Sequence, residues 1–194
     1  MSRLQPPKAG LKLCAVACLM VGRTSSAKYL FDALLQRWPD DGYALASRAH
    51  LLAQAGQTDT ALVDTHRLVQ LSPSNGRAWF NHAYLLEASG RWPEALLAFI
   101  RSTELAPELD RAWYGQALVL IRLQRHEEAV AALQRQTALQ PMAPHGWYQL
   151  ARLHADRGDS GQALQIISHL RGFEPGVAAQ LQRETGLHLG PAGA

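Results

Sequence analysis

The chain has 194 residues, of which 47% are hydrophobic and 7% aromatic, with 10 prolines and 15 glycines. That composition can build a core without disulfide or metal staples, and it excludes collagen-like and broadly disordered chains. Its 19 lysines and arginines nearly balance 16 aspartates and glutamates, and a formal charge of +3 is too even to announce a nucleic-acid or anionic-membrane partner.

The segment through Asp41 holds six basic and three acidic residues, including all three lysines, Lys8, Lys12 and Lys28. Later cations are therefore arginines, whose planar fork suits carboxylates. Residues 1–7 are a lead. The opening "MSRLQPPKAGLKLCAVACLMVG" runs from basic to apolar as an export signal does, but Lys12 interrupts it. The apolar piece from Leu13 to Val21 is also too short to span a bilayer. A cytoplasmic protein without membrane contact is expected, with export the alternative if that segment serves as a signal. Cys14 and Cys18 stand four apart on a predicted helix and read as a free buried pair in a reducing compartment. A redox pair or half of an intersubunit metal site are the other readings.

From residue 8 onward the text recurs every 34 residues. Trp79, Trp113 and Trp147 share one place, filled earlier by Leu11 and Leu45; four residues on come Ala15, Ala49, Ala83, Ala117 and Ala151. Ala27, Ala61, Ala95, Ala129 and Ala163 make a second series, and Pro39, Pro73, Pro107, Pro141 and Pro175 a third. Gly22, Gly56, Gly90 and Gly158 follow the same step, with Gln124 in the remaining place. Series in one phase mark a repeat architecture. The small residues let two antiparallel helices approach, bulky ones fill the space around them, glycine ends the first helix and proline the second. Each hairpin then needs a neighbour to cover its apolar side.

In the third unit, Trp79, Ala83, Gly90, Ala95, Phe99, Ser102 and Pro107 carry the pattern in full, and it resembles the tetratricopeptide repeat family. The fourth keeps Trp113, Ala117, Ala129 and Pro141 but departs at Gln124, Leu133 and Gln136. The resemblance implies an all-α fold, a right-handed superhelical solenoid of stacked antiparallel helix pairs. Five units are expected over 8–177, at 8–41, 42–75, 76–109, 110–143 and 144–177, the first two divergent. Residues 178–194 are a short capping helix and tail. After Pro175, Val177 and Leu181 of "GVAAQLQRETG" would cover the last hairpin, and "LHLGPAGA" is the tail.

The resemblance further implies that the first helix of each pair lines a concave face. Its exposed positions give Arg77, Phe80, Asn81 and Tyr84 in the third unit, and Arg111, Tyr114, Leu118 and Arg122 in the fourth. His145, Tyr148, Gln149 and Arg152 follow in the fifth, with Tyr43 and His50 upstream. Aromatics bury area with little freedom to freeze and arginine binds carboxylates bidentately, so the set suits an extended or acidic-aromatic peptide of another protein. The family's carboxylate-clamp positions read Ala46, His50, Asn81, Arg111 and Gly115, of which Asn81 alone is identical, so a looser site is expected. Trp79, Trp113 and Trp147 are assigned to hairpin packing.

The expectation is a noncatalytic adaptor or chaperone-like scaffold that uses no cofactor or metal. Its eight histidines make no HExxH or zinc pattern, and no nucleophile elbow, phosphate loop or dinucleotide fingerprint occurs. Stacked tyrosines with arginines could hold single-stranded nucleic acid, but Glu87 and Asp156 on the same faces oppose it. A homo-oligomer formed through Val16, Leu19 and Met20 is the structural alternative.

Overall fold

The computed structural model describes residues 7–190, so the lead up to Pro6, its share of the signal-like segment and the last four tail residues lie outside the described residues. Every regular element there is a helix: α1 (Lys8–Met20), α2 (Thr24–Arg37), α3 (Gly42–Gln54), α4 (Thr58–Leu71), α5 (Gly76–Ala88), α6 (Trp92–Leu105), α7 (Asp110–Arg122), α8 (His126–Leu139), α9 (Pro144–Asp156), α10 (Ser160–Arg171) and α11 (Pro175–Thr185). The chain divides into two compact units, Met1–Ala106 and Pro107–Ala194. In the first unit α1 to α6 pack each on the next, and in the second α7 to α11 do the same, α11 also touching α9.

The short turn inside each pair is built the same way five times. Gly22, Gly56, Gly90 and Gly158 take φ between +72° and +77°, and the following amide bonds back to the last turn of the first helix. Arg23 N donates to Cys18 O at 2.8 Å, and Gln57, Arg91, Arg125 and Asp159 donate to Leu52, Leu86, Leu120 and His154 at 2.8–2.9 Å. This left-handed cap satisfies carbonyls that the helix end orphans. Gln124 adopts φ 60° in the fourth turn, so the shared geometry overrides its side chain's preference.

The two alanine series sit where the paired helices touch, and none of their ten members is more than 3% exposed. Phe31, Phe99, Leu133 and Ile167 fill the space beside them, whereas the same place on α4 holds Thr65. Trp79, Trp113 and Trp147 are half-buried, not enclosed in the hairpin interior. Each indole Nε1 donates to the carbonyl of the proline six residues earlier, Pro73, Pro107 or Pro141, at 2.8–2.9 Å. The polar ring edge stays at the surface to make that bond while the rest of the ring covers the turn.

Polar groups enter the interior of the first unit in pairs. On α3, Arg48 grips Asp64 of α4 through Nε and Nη2 at 2.7 and 2.6 Å and reaches Asp32 of α2 at 3.0 Å. Asp41 caps α3 through the Ala44 amide at 2.9 Å and receives both Lys8 and Lys12 of α1 at 2.7 Å. Burial pushes the Asp41 carboxyl up, but the two lysines and that amide outweigh it and hold the pKa at about 2.

Gln136 is buried in the second unit, and Gly146 makes room for it: a Cβ at 146 would lie 1.7 Å from Gln136 Oε1 and 2.9 Å from its Cδ. Cys14 is exposed and Cys18 half-buried, both as free thiols, which corrects the expected buried pair. No earlier hairpin covers the side of α1 that carries them among the described residues. The last helix begins at Pro175, where a fixed φ favours the first helical position. Leu181 is fully buried there, and Val177 half-buried.

Candidate peptide-binding surface

The expected site residues fall on three first helices, α5 in the first unit and α7 and α9 in the second. On α5, Arg77, Asn81 and Tyr84 are exposed, and Phe80 is half-buried with its ring 6.1 Å from that of buried Phe99. Phe80 is thereby committed in part to hairpin packing. Asn81 and Tyr84 share a cleft of about 90 Å³ with Ala46, Ala49 and His50 of α3, Thr65 of α4 and Leu85 of α5. The cleft follows from Thr65, whose short side chain stands where the other hairpins place Phe or a branched aliphatic residue. Small Ala46 and Ala49 form one wall, while an imidazole, an amide and a phenol supply the polar rim.

Thr65 Oγ1 donates to Leu62 O at 3.2 Å, so the 2.9 Å bond to His82 is made by His82 Nδ1 as donor. His82 is buried, and its ring lies 5.7 Å from that of His66. Burial above all, then the His66 and Arg91 charges, lower its pKa to about 4, so the ring is neutral at physiological pH.

In the second unit Arg111 and Arg122 are exposed on α7, with Tyr114 and Leu118 half-buried between them. His145 and Arg152 are exposed on α9, and Tyr148 and Gln149 are half-buried. The Tyr114 and His145 rings are 6.5 Å apart, joining α7 to α9. Arg152 stands 5.9 Å from the Tyr148 ring centroid. Tyr148 donates its hydroxyl proton to Glu184 of α11 at 2.5 Å, and Gln180 donates to the other carboxylate oxygen at 2.8 Å. Those bonds lower the Glu184 pKa and raise that of Tyr148. The structure thus brings Tyr148 and Arg152 together around a carboxylate, whereas Asn81 and Tyr84 gather around a small pit.

Asp64 is bound to Arg48, and His66 lies 3.0 Å from the Gln70 amide. Among the described residues no three His, Cys, Asp or Glu side chains group as a metal site, and no helix is long and apolar enough to cross a membrane.

The sequence profile described as tetratricopeptide repeat matches the chain at residues 48–110, 80–137 and 114–173. The chain belongs to the tetratricopeptide repeat family. No curated protein sequence matches it. Among solved structures, this TPR protein is similar to a MamA RS-1 ArsTM double mutant at 18% identity and TM-score 0.81, over 94% of this chain and 98% of that one. It is similar to YrrB, described as a TPR protein with an unusual peptide-binding site, at 15% identity and TM-score 0.79, over 91% and 92% of the two chains. A Pseudomonas aeruginosa pilF structure matches at 18% identity and TM-score 0.72, over 91% and 89%. At these identities the likeness is one of fold, a TPR solenoid.

A wider cleft in the first unit of this TPR protein lies between its second helices α4 and α6, with α5 at its side. Val63, His66 and Val69 of α4, Trp79 and His82 of α5 and Leu97 of α6 border a space of about 970 Å³. Sequence reasoning centred on first helices passed over it, although a signal was present. Tyr29, Val63 and Leu97 are spaced by 34 and each is about 70% exposed, while the series continues with small Ala131 and polar Gln165.

Proposed function

We infer that this TPR protein is a noncatalytic adaptor that holds an extended segment of a partner protein against its first helices. Family membership supports protein or peptide binding in general. The observation that carries the specific reading is the Tyr148–Glu184 contact beside Arg152: a phenol on α9, with a guanidinium over its ring, donates to a carboxylate. A peptide carboxylate is recognised there by the same groups. In the first unit the Thr65 pit receives one small aliphatic side chain while Asn81 bonds the peptide backbone. Affinity comes from apolar area and satisfied peptide groups, with no bond made or broken. YrrB, with its peptide-binding site, lends the reading support at the level of fold.

The test places photo-crosslinking side chains singly at Tyr84, Tyr148 and Val63 in the full chain and maps which captures a partner segment. Capture at Tyr84 or Tyr148 is expected. Titration of the identified segment should then show binding weakened about threefold or more by Asn81→Ala, the loss of a neutral backbone bond, and about tenfold or more by Arg152→Ala, the loss of a bond to a carboxylate. Capture confined to Val63, with both variants binding normally, rejects the first-helix reading in favour of the second-helix cleft.

A further inference from the structure

We propose that the protein forms an isologous dimer in which α1 packs on α1 of a second copy. Ala9, Leu13, Cys14, Ala17, Met20 and Val21 are all exposed, Leu13, Met20 and Val21 at 71%, 83% and 70%. At one turn per 3.6 residues they form a single stripe about 140° wide, centred on Ala17. The expected contact residues Val16 and Leu19 lie outside it; both are half-buried, and Leu19 packs on the core beside Phe31.

The internal repeat states what this stripe is for. Stepping 34 residues from Cys14 gives Arg48 and then His82, which reach Asp32 and Thr65 on the preceding second helix at 3.0 and 2.9 Å. The same step from Ala17 gives Leu51 and Leu85, both buried. These two positions receive a neighbouring helix wherever one is present, and on α1 none of the described residues covers them, whereas Ala9, Leu13, Met20 and Val21 step to residues that are exposed or half-buried in the second and third units. The Cys14 and Ala17 side of the stripe is therefore a stacking surface of the kind the fold buries between hairpins, and the exposed Leu13, Met20 and Val21 widen it with apolar area particular to α1.

The occupant follows from the exposed residues of α1 and α11. The exposed side chains of α11 beyond Pro175, Gln180, Arg183 and Glu184, are all polar, Glu184 being bonded to Tyr148 of α9, so among the described residues that helix offers no exposed apolar stripe to the α1 of another copy. Head-to-tail growth is thereby disfavoured. The α1 stripe carries no charge, and Lys8 and Lys12 on the same helix are drawn to Asp41. An uncharged apolar stripe with small residues at its centre meets a copy of itself without like-charge repulsion and at close helix spacing, as a two-fold interface requires. One helix face per partner gives a contact below the roughly 1,200 Å² of standard interfaces, so association depends on concentration.

Sedimentation equilibrium of the full chain over a range of concentrations tests this, together with Ala17→Arg and, as a second exposed position, Leu13→Glu. The mass should rise from one chain to two. Each variant should raise the dissociation constant at least about tenfold, with far-UV circular dichroism unchanged. In a Cys18→Ser background a short bismaleimide should link Cys14 to Cys14 in the dimer and fail to do so in Ala17→Arg. A single-chain mass at every concentration, growth beyond two chains, or a dimer indifferent to both variants overturns the proposal.

Discussion

The two compact units share one 34-residue frame but close their seams by different chemistry. At the place where α3 carries Arg48 and α4 carries Asp64, α9 and α10 carry Leu150 and Ile166, both buried. His82 and Ala98 hold that place on α5 and α6, and Gln116 and Ala132 on α7 and α8. First helices α3 and α5 start on the Asx caps Asp41 and Asn75, whereas α7 and α9 have no side-chain cap. The scaffold residues thus fix how hairpins stack. Whether a seam is ionic or apolar is left free, and with it the response to pH.

The largest expected effect comes from breaking the ionic seam. Arg48→Ala leaves the buried Asp64 carboxylate without its partner and should destabilise the first unit by about 3 kcal/mol, measured by urea unfolding. Installing the second unit's solution, Arg48→Leu with Asp64→Ile, should recover most of that loss, because an apolar pair carries no desolvation penalty. If the double variant is as unstable as the single one, charge pairing is not the origin of the difference.

His82 sharpens the comparison through pH. An unfolded histidine takes up its proton near 6.5, the folded one only at about 4, so the unfolded state binds more protons between those values. Stability should fall as pH drops from about 6.5 to 4, by roughly 3 kcal/mol in all, and then level off with respect to this group. His82→Gln, which copies Gln116 at the same place on α7, should flatten that slope. Hydrogen exchange read separately in the two units should show it lost from residues below 107 and unaltered beyond.

In the second unit the test is steric. Gly146→Ala drives a methyl into buried Gln136 and to 3.0 Å from Thr137 Cγ2, and should cost about 2 kcal/mol in thermal or urea unfolding. Gln136→Ser, copying Ser102, should relieve that cost in the double variant. The smallest effect is expected at Gln124. Gln124→Gly removes a left-handed penalty, loses the 3.0 Å contact to His126 and gains chain entropy in the unfolded state, for a net stabilisation of about 0.5 kcal/mol. A drop in melting temperature would show that the His126 contact outweighs the backbone.

The fold was legible because its determinants are local and periodic. Alanine at the closest helix approach, glycine in the left-handed turn and proline after the second helix each act within one hairpin, so a 34-residue step exposes them. The candidate surface was legible in part. Helix phase placed Asn81, Tyr84, Arg111 and Arg152 on exposed faces, but phase alone did not separate Phe80, drawn onto Phe99, from its neighbours. The Tyr148–Glu184 bond joins residues 36 apart, outside the repeat step. The Thr65 pit required asking which packing residue was too small, and the Arg48–Asp64 pair required comparing substitutions between units at a shared place. The tryptophans misled through their size: an indole is bulky enough for a core, yet its N–H finds a carbonyl only at the rim.

The carboxylate that starts α3 ties its helix to both lysines of α1. Proteolytic erosion of the first hairpin from its front would remove those cations together, strand an anion at the mouth of the next helix and loosen that helix's opening turn. Damage at this end therefore propagates inward by one hairpin. Protease nicking before Thr24 should be followed by a second round of cleavage around Asp41, sooner than exposure of that stretch alone would dictate.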